Sequence, residues 1–107
     1  MKTLKFDEEL AKKIIAGEKR STWRLFDDKN LCAGDRIEFV VRETGEVFAC
    51  VEATSVREKA LGEVEKNDFE KHESYESQET MLETFRRYYG ERVSFKTPVK
   101  IIEFTLL

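Results

Sequence analysis

The sequence predicts a small α+β domain in which about five strands form a mixed β-barrel and two main helices pack against it. Short alternating or β-branched segments recur along the chain and predict the strands, whereas only two stretches show the helical spacing of apolar residues. Closure into a barrel would remove the sheet edges that so short a chain can hardly protect. The 107 residues suffice for one compact domain and are too few for two. Residues 1–107 are therefore expected to be a single domain.

The first half of the predicted fold is a strand, a helix and a second strand. Residues 3–6 alternate between polar and apolar and predict the first strand. Asp7 is the expected N-cap of a helix over residues 8–16, and Gly17 occupies the position where a helix C-terminus favours a left-handed residue. Residues 21–26 predict the second strand, in which successive side chains point to opposite faces.

The second half supplies three more strands and the second helix. Two strands are predicted at residues 36–41 and 47–56, and the last at residues 99–106. The polar segment 57–76 is expected to hold a short helix and an irregular loop. Ser77 is the predicted N-cap of a helix that ends at Gly90.

The charge balance limits the class of partner. The formal net charge is −3, and the 38% of charged residues are interspersed in sign. A protein that holds a duplex through its phosphates normally carries a basic excess. We therefore expect a small ligand or a short RNA element read by shape and stacking, and no DNA. With no apolar run long enough to span a membrane and no targeting segment, the expected location is the cytoplasm, without a membrane partner. Cys32 and Cys50 are expected to be reduced thiols.

The strongest functional signal is the segment 17–24, where three polar groups of different chemistry converge. Thr22 and Arg24 share one face of the predicted strand, and Lys19 can fold back towards that face from the turn before it. Trp23, on the other face, is interpreted as core or barrel lid in preference to a stacking platform. Tyr88 and Tyr89 end the apolar stripe of the second helix and are interpreted as core.

This segment resembles the signature of the ASCH domain family, which is a glycine, any residue, a lysine, two residues of any kind, usually a glutamate, any residue, and an arginine. Gly17, Lys19 and Arg24 match this signature, and Thr22 stands where many members carry glutamate. The stretches 33–36, 72–75 and 81–90 also look like family segments. The resemblance implies a PUA-like β-barrel (similar to pseudouridine synthases and archaeosine transglycosylases) with a cleft beside the signature.

One branch of this family, of small bacterial proteins, hydrolyses N4-acetylcytidine to cytidine and acetate. The resemblance to that branch implies that Lys19 is the base, Thr22 the nucleophile and Glu73 the acid, with Glu70 or Glu76 as alternatives for the acid. Lys19 could act as a base only if its pKa were lowered by burial or by nearby cations. The residues expected to contact substrate or to tune Lys19 are Arg20, Trp23, Arg24 and Arg36. No metal or cofactor is implied, because His72 is the sole histidine and the cysteines lack ligand spacing.

Two other functions stay open at this stage. Many family members are thought to bind RNA, so the same cleft could belong to a non-catalytic RNA-binding module. The third hypothesis is a protein-interaction domain that has lost ligand binding. The predicted partner is therefore a small-molecule nucleoside or a short RNA element.

Overall fold

The structure, a computed structural model, describes residues 2–27, 29–64 and 77–107. Within these ranges, five strands and two helices follow one another along the chain. They are β1 (Lys2–Phe6), α1 (Glu8–Ile15), β2 (Ser21–Leu25), β3 (Arg36–Val41), β4 (Val47–Ala60), α2 (Gln78–Tyr89) and β5 (Pro98–Leu106), with a 3₁₀ turn at Leu61–Glu63. The predicted α+β class is confirmed.

The five strands form one mixed sheet that curls into a half-barrel. Its strand order is β1-β3-β4-β5-β2, with β1 parallel to β3 and the other neighbours antiparallel. The two edges, β1 and β2, are adjacent in the chain but share no backbone ladder in the described residues. The barrel is therefore left unpaired between β1 and β2, and this line is called the seam below.

Two apolar clusters lie on opposite faces of the sheet because the residues of β5 alternate. Ile102 and Phe104 face the concave side, which α1 covers, and Val99 and Ile101 face the other side, which α2 covers. The inner core consists of Leu4, Phe6, Ile14, Leu31, Ile37, Phe39, Val51, Ala53, Ile102 and Phe104. The outer core consists of Trp23, Leu25, Leu61, Met81, Phe85, Val93, Val99 and Ile101.

β4 is longer than its sequence predicts. The expected end lies near Val56, but the strand pairs with β5 as far as Ala60, opposite Pro98. A bulge between Ala53 and Ser55 lets β4 change register and follow the curl of the sheet. The polar residues after Val56 favour a strand weakly, so pairing with β5 decides their conformation. The expectation of a short helix and a loop over residues 57–76 is wrong for residues 57–60, which are strand, while a 3₁₀ turn does follow at Leu61–Glu63. Residues 65–76 lie outside the described ranges.

The loop after β2 is fixed to the concave side by a buried ion pair. The Asp27 carboxylate accepts a hydrogen bond of 2.7 Å from Lys100 Nζ and two of 2.9 Å from the backbone N–H groups of Lys29 and Leu31. Burial by itself would raise the pKa of Asp27, but these hydrogen bonds outweigh it, so the pKa lies below its ordinary value. The Asp27 side chain is only 7% exposed.

Three further features bear on the predictions. Ser77 caps α2, because its hydroxyl accepts a hydrogen bond from the N–H of Thr80. Cys32 and Cys50 are exposed free thiols. Of the helices in the described ranges, neither is long and apolar enough to cross a membrane.

Candidate functional site

A pocket of about 710 Å³ opens along the seam, between the edge strands and the two helices. Its size lies in the range of small-molecule sites, about 300–1,000 Å³. Strand β1, the start of α1, strand β2, the β3–β4 turn and the end of α2 each contribute to its walls. The lining residues are Lys5, Phe6, Asp7, Glu8, Glu9, Leu10, Lys13, Lys19, Thr22, Trp23, Arg24, Arg42, Glu43, Thr84, Phe85, Tyr88 and Tyr89.

Lys19 and Thr22 both line this pocket, and both are nearly removed from solvent. Gly17 ends α1 with a φ of +80°, the left-handed conformation predicted for it, and the chain then reverses into β2. The backbone N–H of Lys19 still donates to the carbonyl of Lys13, which ties the turn to the helix. Lys19 is 4% exposed and Thr22 is 3% exposed. The turn therefore brings an amine and a hydroxyl into one sheltered hollow.

Arg24 bridges the seam. One Nη of its guanidinium donates a 2.8 Å hydrogen bond to the backbone carbonyl of Lys5 on β1, and its Cζ lies 4.7 Å above the centre of the Phe6 ring. Burial lowers the pKa of Arg24, a contact with Tyr89 partly opposes this, and the neighbouring charge of Arg42 adds to it. The group keeps its charge at any physiological pH. Its buried Nε–H has no hydrogen-bond partner among the described residues, so it remains available to an acceptor in the pocket.

An aromatic row forms the wall of the pocket on the α2 side. Trp23 stacks nearly parallel on Phe85, with ring centres 6.1 Å apart and planes inclined by 4°. Phe85 in turn stacks on Tyr89 at 6.3 Å and 22°. Trp23 is 4% exposed and belongs to the outer core, as predicted, while it also lines the pocket. The interpretation of Tyr88 as core is wrong, because its side chain is 55% exposed at the pocket.

Asp7 occupies the N-cap position of α1 but makes no side-chain cap hydrogen bond, contrary to the prediction. Its carboxylate instead lies at the pocket entrance, where it contacts Tyr88 and Arg42. Oδ2 accepts a hydrogen bond of 3.4 Å from the Tyr88 hydroxyl, and Oδ1 lies 3.6 Å from Arg42 Nε. This pair is half-exposed, so it holds the entrance residues together without contributing much stability. α1, α2 and the β3–β4 turn thus meet at one acidic side chain.

The lining is nearly balanced in charge. Among the described residues, five basic side chains face four acidic ones, so this part of the lining is close to neutral overall. Such a lining suits a neutral, polar and flat ligand. The basic residues are Lys5, Lys13, Lys19, Arg24 and Arg42, and the acidic ones are Asp7, Glu8, Glu9 and Glu43.

The other predicted site residues lie elsewhere. Arg20 and Arg36 are exposed and are not among the residues that line the pocket. Arg20 ends the turn before β2, where its backbone carbonyl accepts a hydrogen bond from Phe104, and Arg36 begins β3 at the far end from the pocket entrance. Glu73 and its alternatives Glu70 and Glu76 lie outside the described residues. In the ranges that the structure covers, no group of three or more histidine, cysteine, aspartate or glutamate side chains could hold a metal ion.

Five residues that line the pocket were not predicted from the sequence to belong to a site. They are Asp7, Arg42, Phe85, Tyr88 and Tyr89. The clustering of aromatic residues before Gly90 was the only signal for two of them. Asp7 and Arg42 carried no signal, because their approach depends on how the β3–β4 turn meets α1.

These features define a small α+β domain with an open half-barrel and a pocket at its seam. No protein-family model matches the sequence, and no curated protein matches it. Hypothetical protein PH0355 is similar in structure, with a TM-score of 0.75, 29% identity and all of both chains covered.

Two ASCH structures are similar as well. The ASCH domain from Lactobacillus crispatus JV V101 has a TM-score of 0.70 and 18% identity, over 98% of this chain and 79% of that one. ASCH from Zymomonas mobilis has a TM-score of 0.61 and 14% identity, over 96% of this chain and 65% of that one. The protein has an ASCH-like fold, consistent with the PUA-like architecture that the sequence resemblance implied.

Proposed function

We propose that the seam pocket binds a nucleoside or a modified RNA base and that it hydrolyses the amide of N4-acylated cytidine. The single observation that carries this proposal is the burial of Lys19 and Thr22 in the same pocket. Burying polar side chains costs free energy, and here an amine and a hydroxyl are both buried in the lining of a pocket that a ligand can enter. The nearly neutral lining and the flat aromatic wall support a nucleobase as the ligand.

The chemistry follows from the two groups. Thr22 Oγ attacks the acyl carbon while a neutral Lys19 amine takes its proton, and the C–N bond breaks as the exocyclic nitrogen is protonated. The products of this step are cytidine and an acyl ester of Thr22. Water then hydrolyses the ester to release the carboxylic acid and regenerate the hydroxyl. The first step requires the amine to be neutral, and burial is the physical factor that favours that form.

Arg24 supplies a positive charge in the same pocket as Lys19 and Thr22. Its buried Nε–H, for which the described part of the chain supplies no hydrogen-bond partner, can donate to the carbonyl oxygen of the acyl group or of the base. The resemblance assigns the proton donor for the departing nitrogen to Glu73, and this assignment remains a proposal.

Incubation of the purified protein with N4-acetylcytidine tests the proposal, with free cytidine measured by chromatography. We expect turnover by the wild type and a loss of at least about 100-fold in kcat for Thr22→Ala and for Lys19→Met. Thr105→Ala and Lys96→Met are matched controls, because both residues are exposed and lie outside the pocket lining. Absence of turnover by the wild type, or equal losses in the controls, would contradict the catalytic proposal.

A non-catalytic RNA-binding module is the second candidate, and the cationic side chains at the pocket favour it. Lys5, Lys13 and Arg42 can contact phosphates on either side of a base held in the pocket. This function predicts binding of short RNA that weakens with salt and with Lys19→Ala or Arg24→Ala. A flat titration with structured RNA at low salt would exclude it.

A further inference from the structure

Phe26 has a backbone conformation that its residue type does not favour. Its φ is +53°, in the left-handed region, and its side chain is 41% exposed directly after β2. Among the described residues, Asn30 is the other non-glycine residue with a positive φ, and asparagine tolerates this region well. A bulky residue held there and left at the surface points to a role for the ring outside the core.

The strained backbone presents the Phe26 ring between two partners. The guanidinium carbon of Arg92 lies 3.8 Å from the ring centre, and the Tyr89 ring meets it at 5.9 Å and 64°. Arg92 is itself exposed. A planar cation on an aromatic ring forms a flat, weakly hydrated surface, which we call the shelf and define as Phe26 and Arg92.

The shelf continues the aromatic wall of the pocket. Tyr89 contacts Phe26 on one side and Phe85 on the other, and Phe85 stacks on Trp23. Four rings thus lead from the interior of the pocket to the guanidinium of Arg92 at the surface. The shelf is therefore in contact with the pocket wall through Tyr89.

We propose that the shelf is a second nucleobase subsite, which stacks the base adjacent to the one held in the pocket. The inference deepens the proposed function and rests on it, because it names a short single-stranded RNA as the preferred ligand over the free nucleoside. Aromatic and guanidinium planes are the surfaces on which single-stranded bases stack, and they tolerate any base because each base has a π-face. The charge of Arg92 also suits the phosphate that links two nucleotides.

The proposal is tested by comparing the binding of two ligands in isothermal titrations. One is the nucleoside N4-acetylcytidine, and the other is an RNA trinucleotide with N4-acetylcytidine in the middle, which carries a neighbouring base on either side. To separate binding from turnover, the titrations use Thr22→Ala as the background. We expect the trinucleotide to bind about 5- to 100-fold more tightly than the nucleoside.

Two substitutions on this background address the shelf. Phe26→Asn removes the ring and is compatible with the positive φ, so it should fold, as a urea unfolding curve checks. Arg92→Lys keeps the charge and loses the planar stack. Both should reduce the preference for the trinucleotide to less than about 3-fold while nucleoside affinity stays unchanged. Arg87→Lys, on an exposed arginine of α2 outside the shelf, is the matched control and should keep the full preference.

The outcomes separate the two proposals. Equal affinity for both ligands, or an unchanged preference in Phe26→Asn, overturns the shelf and leaves the nucleoside pocket standing. Absence of nucleoside binding and of wild-type hydrolysis overturns the proposed function, and the inference fails with it. Equal preference in the Arg92→Lys variant and in the wild type would also contradict the stacking role of the guanidinium.

Discussion

The two faces of the sheet are filled in different ways. In the inner core, Phe39 lies at the centre of an aromatic cluster, with Phe6 at 4.5 Å and Phe104 at 4.9 Å between ring centres, and it is fully buried. In the outer core, the rings form a row that begins under α2 and ends at the solvent beside the pocket. The first arrangement holds the barrel together, whereas the second leaves one edge of its aromatic surface exposed at the pocket. The number of aromatic residues alone does not distinguish the inner core from the outer core, since both contain several aromatic rings.

The largest effect is expected from Phe39→Ala. Removing a fully buried ring from a closed cluster leaves a cavity that its strands cannot collapse around, so the free energy of unfolding should fall by about 3–5 kcal/mol. Urea unfolding followed by circular dichroism measures this. A loss below about 1 kcal/mol would show that the inner core is not the main source of stability.

Phe85→Ala is expected to cost less and to affect ligand binding directly. Its ring is 5% exposed and borders the pocket, so water can occupy part of the space it leaves. We expect a loss of about 2–4 kcal/mol in stability and a nucleoside affinity reduced by at least about 5-fold, because Trp23 and Tyr89 lose the ring between them. Phe39→Ala is the control. Measured at a temperature where this variant stays folded, its nucleoside affinity should stay within 2-fold of the wild-type value. About equal affinities in Phe39→Ala and Phe85→Ala would contradict the distinction between the two cores.

Lys100→Met tests the ion pair between Lys100 and Asp27 on the concave side of the sheet. The substitution removes a charged hydrogen bond to Asp27, both side chains being mostly buried, and it should lower the free energy of unfolding by about 1–3 kcal/mol at pH 7. Lys96→Met, at an exposed site, is the control. Equal unfolding curves for Lys100→Met and the wild type would show that desolvation of the pair offsets its attraction.

The same pair predicts a dependence on pH. The pKa of Asp27 is lower in the folded protein than its ordinary value of 3.8, so the carboxylate contributes stability above that value. This contribution is lost as the pH falls below about 4 and through the folded pKa. Unfolding curves between pH 5 and pH 2 should show a steeper loss in the wild type than in Lys100→Met. Parallel curves would contradict the assignment.

The smallest effect is expected at the cap of α2. Ser77→Ala removes the hydrogen bond to the N–H of Thr80 and should cost about 1 kcal/mol, whereas Ser77→Asp should retain most of it. Thermal unfolding of the two variants and of the wild type measures this difference in stability. Since α2 packs on the outer core, a weakened cap should leave the inner core unchanged, and hydrogen exchange of the β3 amides is the check.

Much of the fold could be predicted from the sequence, because local signals determine it. Gly17 and Ser77 mark helix ends by conformation and hydrogen bonding, and alternation in β3 predicts its bounds correctly. The extension of β4 to Ala60 could not be predicted, because pairing with β5 overrides weak local preference. The strand order depends likewise on contacts between residues far apart in the chain.

The site could be predicted only where one segment contains it. Lys19, Thr22 and Arg24 lie within six residues of one another, so the periodicity of a strand and a turn was enough to bring them together. Tyr88 was assigned to the core because it continues the helical spacing of apolar residues in α2. That spacing does not indicate where the helix extends past the sheet and its side chains become exposed. Arg20 was grouped with the site because it is close to Lys19 in sequence, and Arg36 because of its charge, but neither side chain lines the pocket.

The bridge that Arg24 makes to β1 has a consequence for how this scaffold can change. Because one side chain spans the gap between the two edge strands, a substitution at this position changes the contact across the seam, and no backbone ladder has to be remade. Replacement by a shorter residue would remove the hydrogen bond to Lys5 and the contact with the Phe6 ring of the inner core. The shape of the pocket on this architecture can therefore change through a single codon, while the hydrogen-bonded strand pairs of the sheet stay as they are.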